Sequence, residues 1–458
     1  MQQVSAMIML VFLSLFAEVS CAQKANIQTF GFLRGRLKVA ENGRFIVHQD
    51  GTPFSFFADT AWQLFHRLTR EEIEFYFQNR AEKGFTVIQA VILAELDGLQ
   101  TPNRYGVTPL LNDSPETPNE AWFVWVDEVL KMAEKHGLYI ALVPTWGDKV
   151  DKKWGAGPEI FNAENAYQYG KYLGHRYKDY PNIIWMNGGD RSADGKSFEI
   201  WDALAKGIKS EDQNHLMTFH PQGERSSSEW FHTSDWCDFN ICQTSHAQTD
   251  YAIYDRLLVK DYQLTPVKPC MDAEPRYEDI PIGFKPENGW FDDADIRQSL
   301  YWSLFSGGFG YTYGCNSIWQ FYEEGRKPIC DARRSWKKAI DLPGSYAIKH
   351  ARNLLESYDY LSRVPDQSII ISPNEDNAHK VVACRGKDYA LVYIPTGKEA
   401  TVSLVKIEGA KQVKLSWFNP QTGEKTNIKK TKSAGNYTAI PPTNGKGNDW
   451  VIIIKKVK

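Results

Sequence analysis

Several features that would each assign this chain of 458 residues to a class are missing from it. There are seven cysteines, and no two form a Cys-x-x-Cys pair, so a structural zinc site is not expected. No block of basic residues occurs, and the net charge of -3 argues against a nucleic-acid partner. There is no Gly-x-Gly-x-x-Gly after a strand, no P-loop, no Gly-x-Ser-x-Gly and no His-Glu-x-x-His. No cofactor and no metal is therefore expected. Beyond the first residues, no apolar run is long enough to span a bilayer. Tandem repeats and low-complexity tracts are also missing.

The N-terminus reads as a processing segment. Met7 to Phe16 is apolar, and Ser20-Cys21-Ala22 fits a small-x-small cleavage site. Residues 1–22 are expected to be a signal peptide, and the protein to be periplasmic or secreted. Lipid anchoring at Cys21 is the alternative, and Glu18 stands against it because such sites favour leucine there. Export permits disulfides, but the spacing pairs none, and buried free thiols are the expectation.

Aromatic residues are what the chain has in number: 15 Trp and 22 Tyr, many of them near the ends of expected strands. Aromatic faces stack on sugar rings and anchor concave sites, so this composition suits a carbohydrate substrate. A large core that simply buries its tryptophans would have the same composition.

From residue 54 strands and helices alternate. Phe54–Ala58, Phe85–Leu93, Leu138–Val143, Ile183–Met186, His215–Phe219, Phe239–Gln243, Val267–Met271 and Gly310–Tyr313 read as eight strands. Helices are expected after Thr69, whose partner Glu72 completes a capping box, and over Glu120–His136, Ala163–Tyr177, Phe198–Ser210, Tyr251–Tyr262, Asp293–Phe305 and Ser345–Leu355. Ahead of them, Leu37–Val39 and Phe45–Val47 form a hairpin around Asn42-Gly43. This is the arithmetic of a (β/α)8 TIM barrel, placed at residues 31–362. Past residue 362 the helices give way to about seven short β runs, among them Ser368–Ile371, Tyr389–Ile394 and Val413–Phe418. A small all-β sandwich is expected over residues 363–458. It shows no aromatic row, so bracing the barrel is its expected role.

In a barrel of parallel strands the site forms where the strands end. The fourth strand ends in Asn187-Gly188-Gly189-Asp190, and the seventh leads through Asp272 to Glu274. Two carboxyl groups facing each other across a barrel mouth suit glycoside hydrolysis with retention. One donates a proton to the leaving oxygen, and the other attacks the anomeric carbon. Asp190 and Glu274 are the expected pair. Asp272 is a rival nucleophile, because residues two apart on a strand share a face. Asp59, Trp62, Gln89, Trp146, Asp148, His220, Gln222, His246 and Tyr277 lie at strand tips and are candidates for binding sugar. Lys149, Arg191 and Arg276 are candidates for pairing with a uronate carboxylate. A metal-dependent hydrolase using His220 and His246 with Asp190 is one alternative. A carbohydrate-binding protein on an inactive barrel is another.

Phe56-Phe-Ala-Asp-Thr-Ala-Trp62, Gly84-Phe-Thr-Val-Ile-Gln89, Trp185-Met-Asn-Gly-Gly-Asp190 and Asp272-Ala-Glu-Pro275 resemble the apiosidase-like family, glycoside hydrolase family 140. The resemblance runs from about residue 32 to the end. It implies a barrel joined to a C-terminal β-sandwich that often carries a collagen-binding label. It implies an Asp acid/base and a Glu nucleophile, which fall on Asp190 and Glu274. It also implies a pectin substrate, apiose linked to the galacturonic acid backbone of rhamnogalacturonan-II. The motifs are less specific for apiose than for the family, so another sugar specificity is the alternative. Where retaining barrel glycosidases usually carry Asn-Glu at strand four, this chain has Gly-Gly-Asp.

Overall fold

The computed structural model describes residues 32–457. The expected signal peptide and Cys21 lie outside the described residues. The first strands among the described residues form a hairpin, β1 (Leu37–Val39) paired antiparallel with β2 (Ile46–His48). Eight parallel strands then form a ring: β3 (Phe57–Thr60), β4 (Val87–Leu93), β5 (Tyr139–Thr145), β6 (Ile183–Gly188), β7 (Met217–His220), β9 (Asn240–Gln243), β10 (Cys270–Asp272) and β11 (Tyr311–Tyr313). A short strand β8 (Arg225–Ser226) lies antiparallel on β9.

The ladder runs β7-β6-β5-β4-β3-β11-β10-β9-β8, so the ring is closed by hydrogen-bonded neighbours everywhere except between β7 and β9. That seam is held by single bonds. Asp238 N donates to Met217 O at 2.8 Å, and Thr218 Oγ1 to Phe239 O at 2.6 Å. β4 and β5 are buried at every position, which is why they read as unbroken apolar runs rather than as alternating ones.

Helices cover the ring. Thr69 Oγ1 accepts Glu72 N at 3.3 Å, and Glu72 Oε2 accepts Thr69 N at 3.0 Å, so the expected capping box opens helix Arg70–Glu82. Helices Ala163–Tyr177 and Asp293–Phe305 have the expected bounds. The segment expected as one helix over Tyr251–Tyr262 is instead Ala252–Tyr254, a π-turn over Asp255–Val259, and Lys260–Gln263. The wider turn accompanies burial of Ile253, Tyr254, Leu257 and Leu258.

After helix Gly344–Glu356 come β12 (Val364–Pro365), β13 (Val382–Arg385), β14 (Tyr389–Ile394), β15 (Ala400–Ser403), β16 (Gln412–Phe418), β17 (Lys425–Lys432), β18 (Asn436–Ala439) and β19 (Trp450–Lys456). Six of them form one sheet in the order β12-β13-β14-β19-β16-β17, and β15 pairs with β18 in a second. The expected strand at Ser368–Ile371 is a 3-10 turn over Gln367–Ile369, fixed by Asp366, whose side chain accepts Ser368 N. The strand β17, Lys-Thr-Asn-Ile-Lys-Lys-Thr-Lys, has no apolar alternation because it is an exposed edge, where lysines discourage pairing with another chain.

The central strands of the six-stranded sheet, β14 and β19, are buried on both faces. Leu391, Tyr393, Val451 and Ile453 join the core of the barrel, while Val392, Ile394, Ile452 and Ile454 pack into the second sheet. Arg297 of helix Asp293–Phe305 forms a buried ion pair with Asp449 at 2.9 Å, and Tyr301 stacks on Tyr393 with ring centroids 4.8 Å apart. Bracing the barrel is what these contacts do. Among the described residues, Cys237, Cys242, Cys270, Cys315, Cys330 and Cys384 are free thiols, and no helix is long and apolar enough to cross a membrane.

Candidate active site

A cavity of about 550 Å³ opens at the C-terminal mouth of the barrel. Its lining includes Trp62, Trp146, Trp154, Trp319, Tyr277 and Phe284, together with the carboxyls of Glu95, Asp190 and Glu274. No lysine or arginine is among its lining residues.

Asp190 follows β6 through three residues of positive φ: Gly188 at 86°, Gly189 at 147° and Asp190 at 58°. A Cβ on Gly188 would lie 2.5 Å from His220 O, and one on Gly189 would lie 2.8 Å from Gly147 N. Two glycines are therefore needed there, and aspartate is among the side chains that tolerate the left-handed region. This is the local reason for Gly-Gly-Asp. The turn brings the carboxyl into the cavity, where the indole N–H of Trp154 donates to Asp190 Oδ2 at 3.0 Å. Burial, with the charge of Glu274 behind it, pushes Asp190 up to about 6.

Glu274 lies two residues beyond the end of β10. Tyr277 donates its hydroxyl to Oε1 at 2.5 Å, and His246 Nε2 is 3.4 Å from the same oxygen. His220 Nε2 is 3.0 Å from Oε2 but is not aligned for a hydrogen bond, so both atoms are buried and unpaired. Burial alone would raise the pKa of Glu274. The contacts with His220 and His246 outweigh burial and hold it well below the usual carboxylate range. The backbone N–H of Asp190 points at His220 Nδ1, 3.4 Å away, which puts the ring hydrogen on Nε2. One imidazole thus spans from the Asp190 backbone to the Glu274 carboxylate, wedged against Trp62 and Trp146 at centroid distances of 5.3 and 5.9 Å.

Residues 40–362 match the family described as "Apiosidase-like, catalytic domain". The chain belongs to the apiosidase-like family. Residues 364–455 match the domain described as "Putative collagen-binding domain of a collagenase". A solved structure described as a glycoside hydrolase is 33% identical, superposes with a TM-score of 0.86, and is matched over 93% of this chain and 98% of its own. A glycoside hydrolase family 5 structure from Bacteroides vulgatus ATCC 8482 is also 33% identical with a TM-score of 0.86, over 93% of this chain and 94% of its own. Comparison with curated protein sequences finds no match. The family match and these neighbours support a glycosidase with a carbohydrate substrate.

Of the strand-tip residues expected to bind sugar in this apiosidase-like chain, Trp62, Trp146, Gln222, His246 and Tyr277 line the cavity, and His220 stands behind them against Glu274. Three turn away. Asp59 is fully buried between Tyr76 Oη and Arg80 Nε, each 2.5 Å from its Oδ2, and ties β3 to a helix. Gln89 donates to Thr312 Oγ1 at 2.9 Å inside the barrel. Asp148 accepts Lys149 Nζ at 2.7 Å and Gly157 N at 2.9 Å.

The three expected uronate partners are also committed elsewhere. Lys149 is bonded to Ala94 O and Asp148, Arg276 to Gln248 O and Gln298, and Arg191 to the carbonyls of Asp151, Lys152 and Asp190. The rival nucleophile Asp272 is fully buried, accepts Thr244 Oγ1 at 2.6 Å and does not line the cavity. The chain bends after Asp272, so the two-residue rule does not carry it onto the face of Glu274. His220 and His246 both point at Glu274. Among the described residues no group of three or more His, Cys, Asp and Glu is placed to hold a metal ion.

Glu95 and Trp154 were not expected in the site. Glu95 follows β4 by two residues, the same offset by which Asp190 follows β6 and Glu274 follows β10, and that offset was the available signal. Burial, then the charges of Asp190, Asp148 and Glu274, push Glu95 up to about 8. Trp154 sits in an irregular loop with no periodicity to mark it.

Proposed function

We propose that the chain is a retaining glycoside hydrolase of family 140 that cleaves the apiose–galacturonic acid linkage of rhamnogalacturonan-II, with Asp190 as acid/base and Glu274 as nucleophile. One observation carries the reading. Two carboxyls share one aromatic-walled cavity, and their surroundings push their proton affinities apart, Asp190 up and Glu274 down.

In the first step the Asp190 proton passes to the glycosidic oxygen as the Glu274 carboxylate attacks the anomeric carbon. The bond to the leaving sugar breaks, and a glycosyl-enzyme ester remains. Asp190, now a carboxylate, takes a proton from water. The water oxygen displaces Glu274, and the sugar leaves with its original anomeric configuration. Tyr277 holds the nucleophile through Oε1 in both steps. The three carboxyls and the lack of a cation in the lining favour a neutral sugar such as apiose inside the cavity. The acidic galacturonate then lies outward, at the mouth. Export places the enzyme where a polymeric pectin is found.

The test is product analysis on intact rhamnogalacturonan-II and on its isolated side chains, with proton NMR of the first anomer released. Release of apiose-ended fragments with retention, lost in Asp190→Ala and Glu274→Ala, is the expected result. An inert wild type removes the apiose reading, and an inverted first product removes the retaining mechanism.

A further inference from the structure

Trp154 is the most exposed of the cavity's tryptophans, with 60% of its surface open, yet its indole N–H is bonded to Asp190 Oδ2 at 3.0 Å. An exposed side chain holds one such contact only if something else restrains it. Here the restraint is Arg191. Its guanidinium lies 4.2 Å from the centroid of the Trp154 ring and is fully buried beneath it. The same group donates to Asp151 O at 2.6 Å, Lys152 O at 2.8 Å and Asp190 O at 2.8 Å. One buried cation thus joins the loop that carries Trp154 to the turn that carries Asp190. The loop is seated closely, since Gly157 N donates to Asp148 Oδ2 at 2.9 Å and a Cβ on Gly155 would lie 2.0 Å from Asp148 Cβ.

We propose that Trp154 is a positioning residue for Asp190. Its N–H occupies Oδ2, so the transferable proton resides on Oδ1, and Arg191 holds the indole in that place. The inference rests on the reading of Asp190 as the acid/base. An N–H donor favours the ionised carboxyl, so the same contact lowers the proton affinity that burial raises. Asp190 is thereby left able both to give a proton to the leaving oxygen and to lose it readily.

The test uses the full chain and the variants Trp154→Phe, which keeps a ring and removes the donor, and Trp154→Ala. Carboxyl-carbon NMR, with Asp190→Asn to assign the signal, reads the Asp190 midpoint without any substrate. In Trp154→Phe that midpoint is expected to rise by roughly half a unit to one unit. The alkaline limb of kcat/KM is expected to move with it, while the melting temperature stays at the wild-type value. Trp154→Ala is expected to give the same rise. An Asp190 midpoint that does not move in Trp154→Phe overturns the inference, whatever the substrate. A midpoint that moves while the alkaline limb stays fixed removes Asp190 as the acid, and with it the reading on which the inference rests.

Discussion

Tyr277 donates its hydroxyl hydrogen to Glu274 at 2.5 Å, from only three residues further along the same loop. Its own ionisation is pushed well above the usual tyrosine range, by burial first and by the charge of Glu274 second, so it remains a donor across the working range of pH. Loss of a hydrogen bond to a charged group costs about 1.5–3 kcal/mol. Tyr277→Phe is expected to lower kcat by about 10- to 100-fold with little change in melting temperature. Steady-state kinetics and thermal unfolding on one preparation check both.

The two carboxyls also set the pH range. Asp190, at about 6, must be protonated for the first step, and Glu274, held low, must be ionised. kcat/KM is therefore expected to be flat through mildly acidic pH and to fall about tenfold per unit above about pH 6. A profile of kcat/KM from pH 3 to 9 tests this; an alkaline optimum would contradict it.

Burial and the neighbouring carboxylates push Glu95 up to about 8, so at mildly acidic pH its acid form can donate to a substrate hydroxyl. Glu95→Gln keeps a donor and is expected to leave kcat/KM near pH 5 within about twofold, whereas Glu95→Ala raises KM about tenfold. The contrast between the two variants, measured at one pH, is the check.

Asp272 is buried with Thr244, and burial pushes it up to about 7. Its folded pKa lies above its unfolded one, so its favourable share is complete below about pH 4 and is lost as pH rises to about 7. Asp272→Asn does not titrate. Wild type is expected to lose stability relative to this variant across that window, by a few kcal/mol on the order of the linkage estimate. Urea unfolding of both proteins at several pH values measures the difference.

Arg297 and Asp449 join the two halves of the chain through a buried pair at 2.9 Å. Removing one partner leaves the other charge buried, at a cost of about 3–5 kcal/mol. Arg297→Ala is expected to lower the melting temperature while unfolding remains a single transition, because the core continues from the barrel into the sheet. Two resolved calorimetric peaks would contradict that.

The barrel was legible because its signals are local. Thr69 and Glu72 cap a helix three residues apart, and Ile183 to Met186 is an apolar run bounded by Asn182 and Asn187. What a strand tip does once the strand has ended is not local. Asp59 lies inside β3 and Asp190 just past β6, yet Arg80 turns the first outward, while three residues of positive φ turn the second in. No sequence pattern marks that choice, because it depends on residues that meet only in the folded chain. The same holds for Arg191, which reads as a partner for a uronate carboxylate until three carbonyls converge on it. The edge strand Lys425–Lys432 carries no strand signal in its sequence because solubility, rather than burial, shaped its composition.

The covered face of the C-terminal sheet bears on how the chain is made. Arg297 and Asp449 are separated by 152 residues, and Tyr393 also lies far beyond Tyr301 in the chain. During synthesis from the N-terminus, the barrel helix Asp293–Phe305 is complete while its covering has yet to leave the ribosome. For that interval the nascent chain carries Arg297 paired only with Asp293 of its own helix, beside an uncovered aromatic patch. A stop codon or a protease cut near residue 362 makes the interval permanent. The segment from residue 363 onward thus covers and completes the barrel that precedes it.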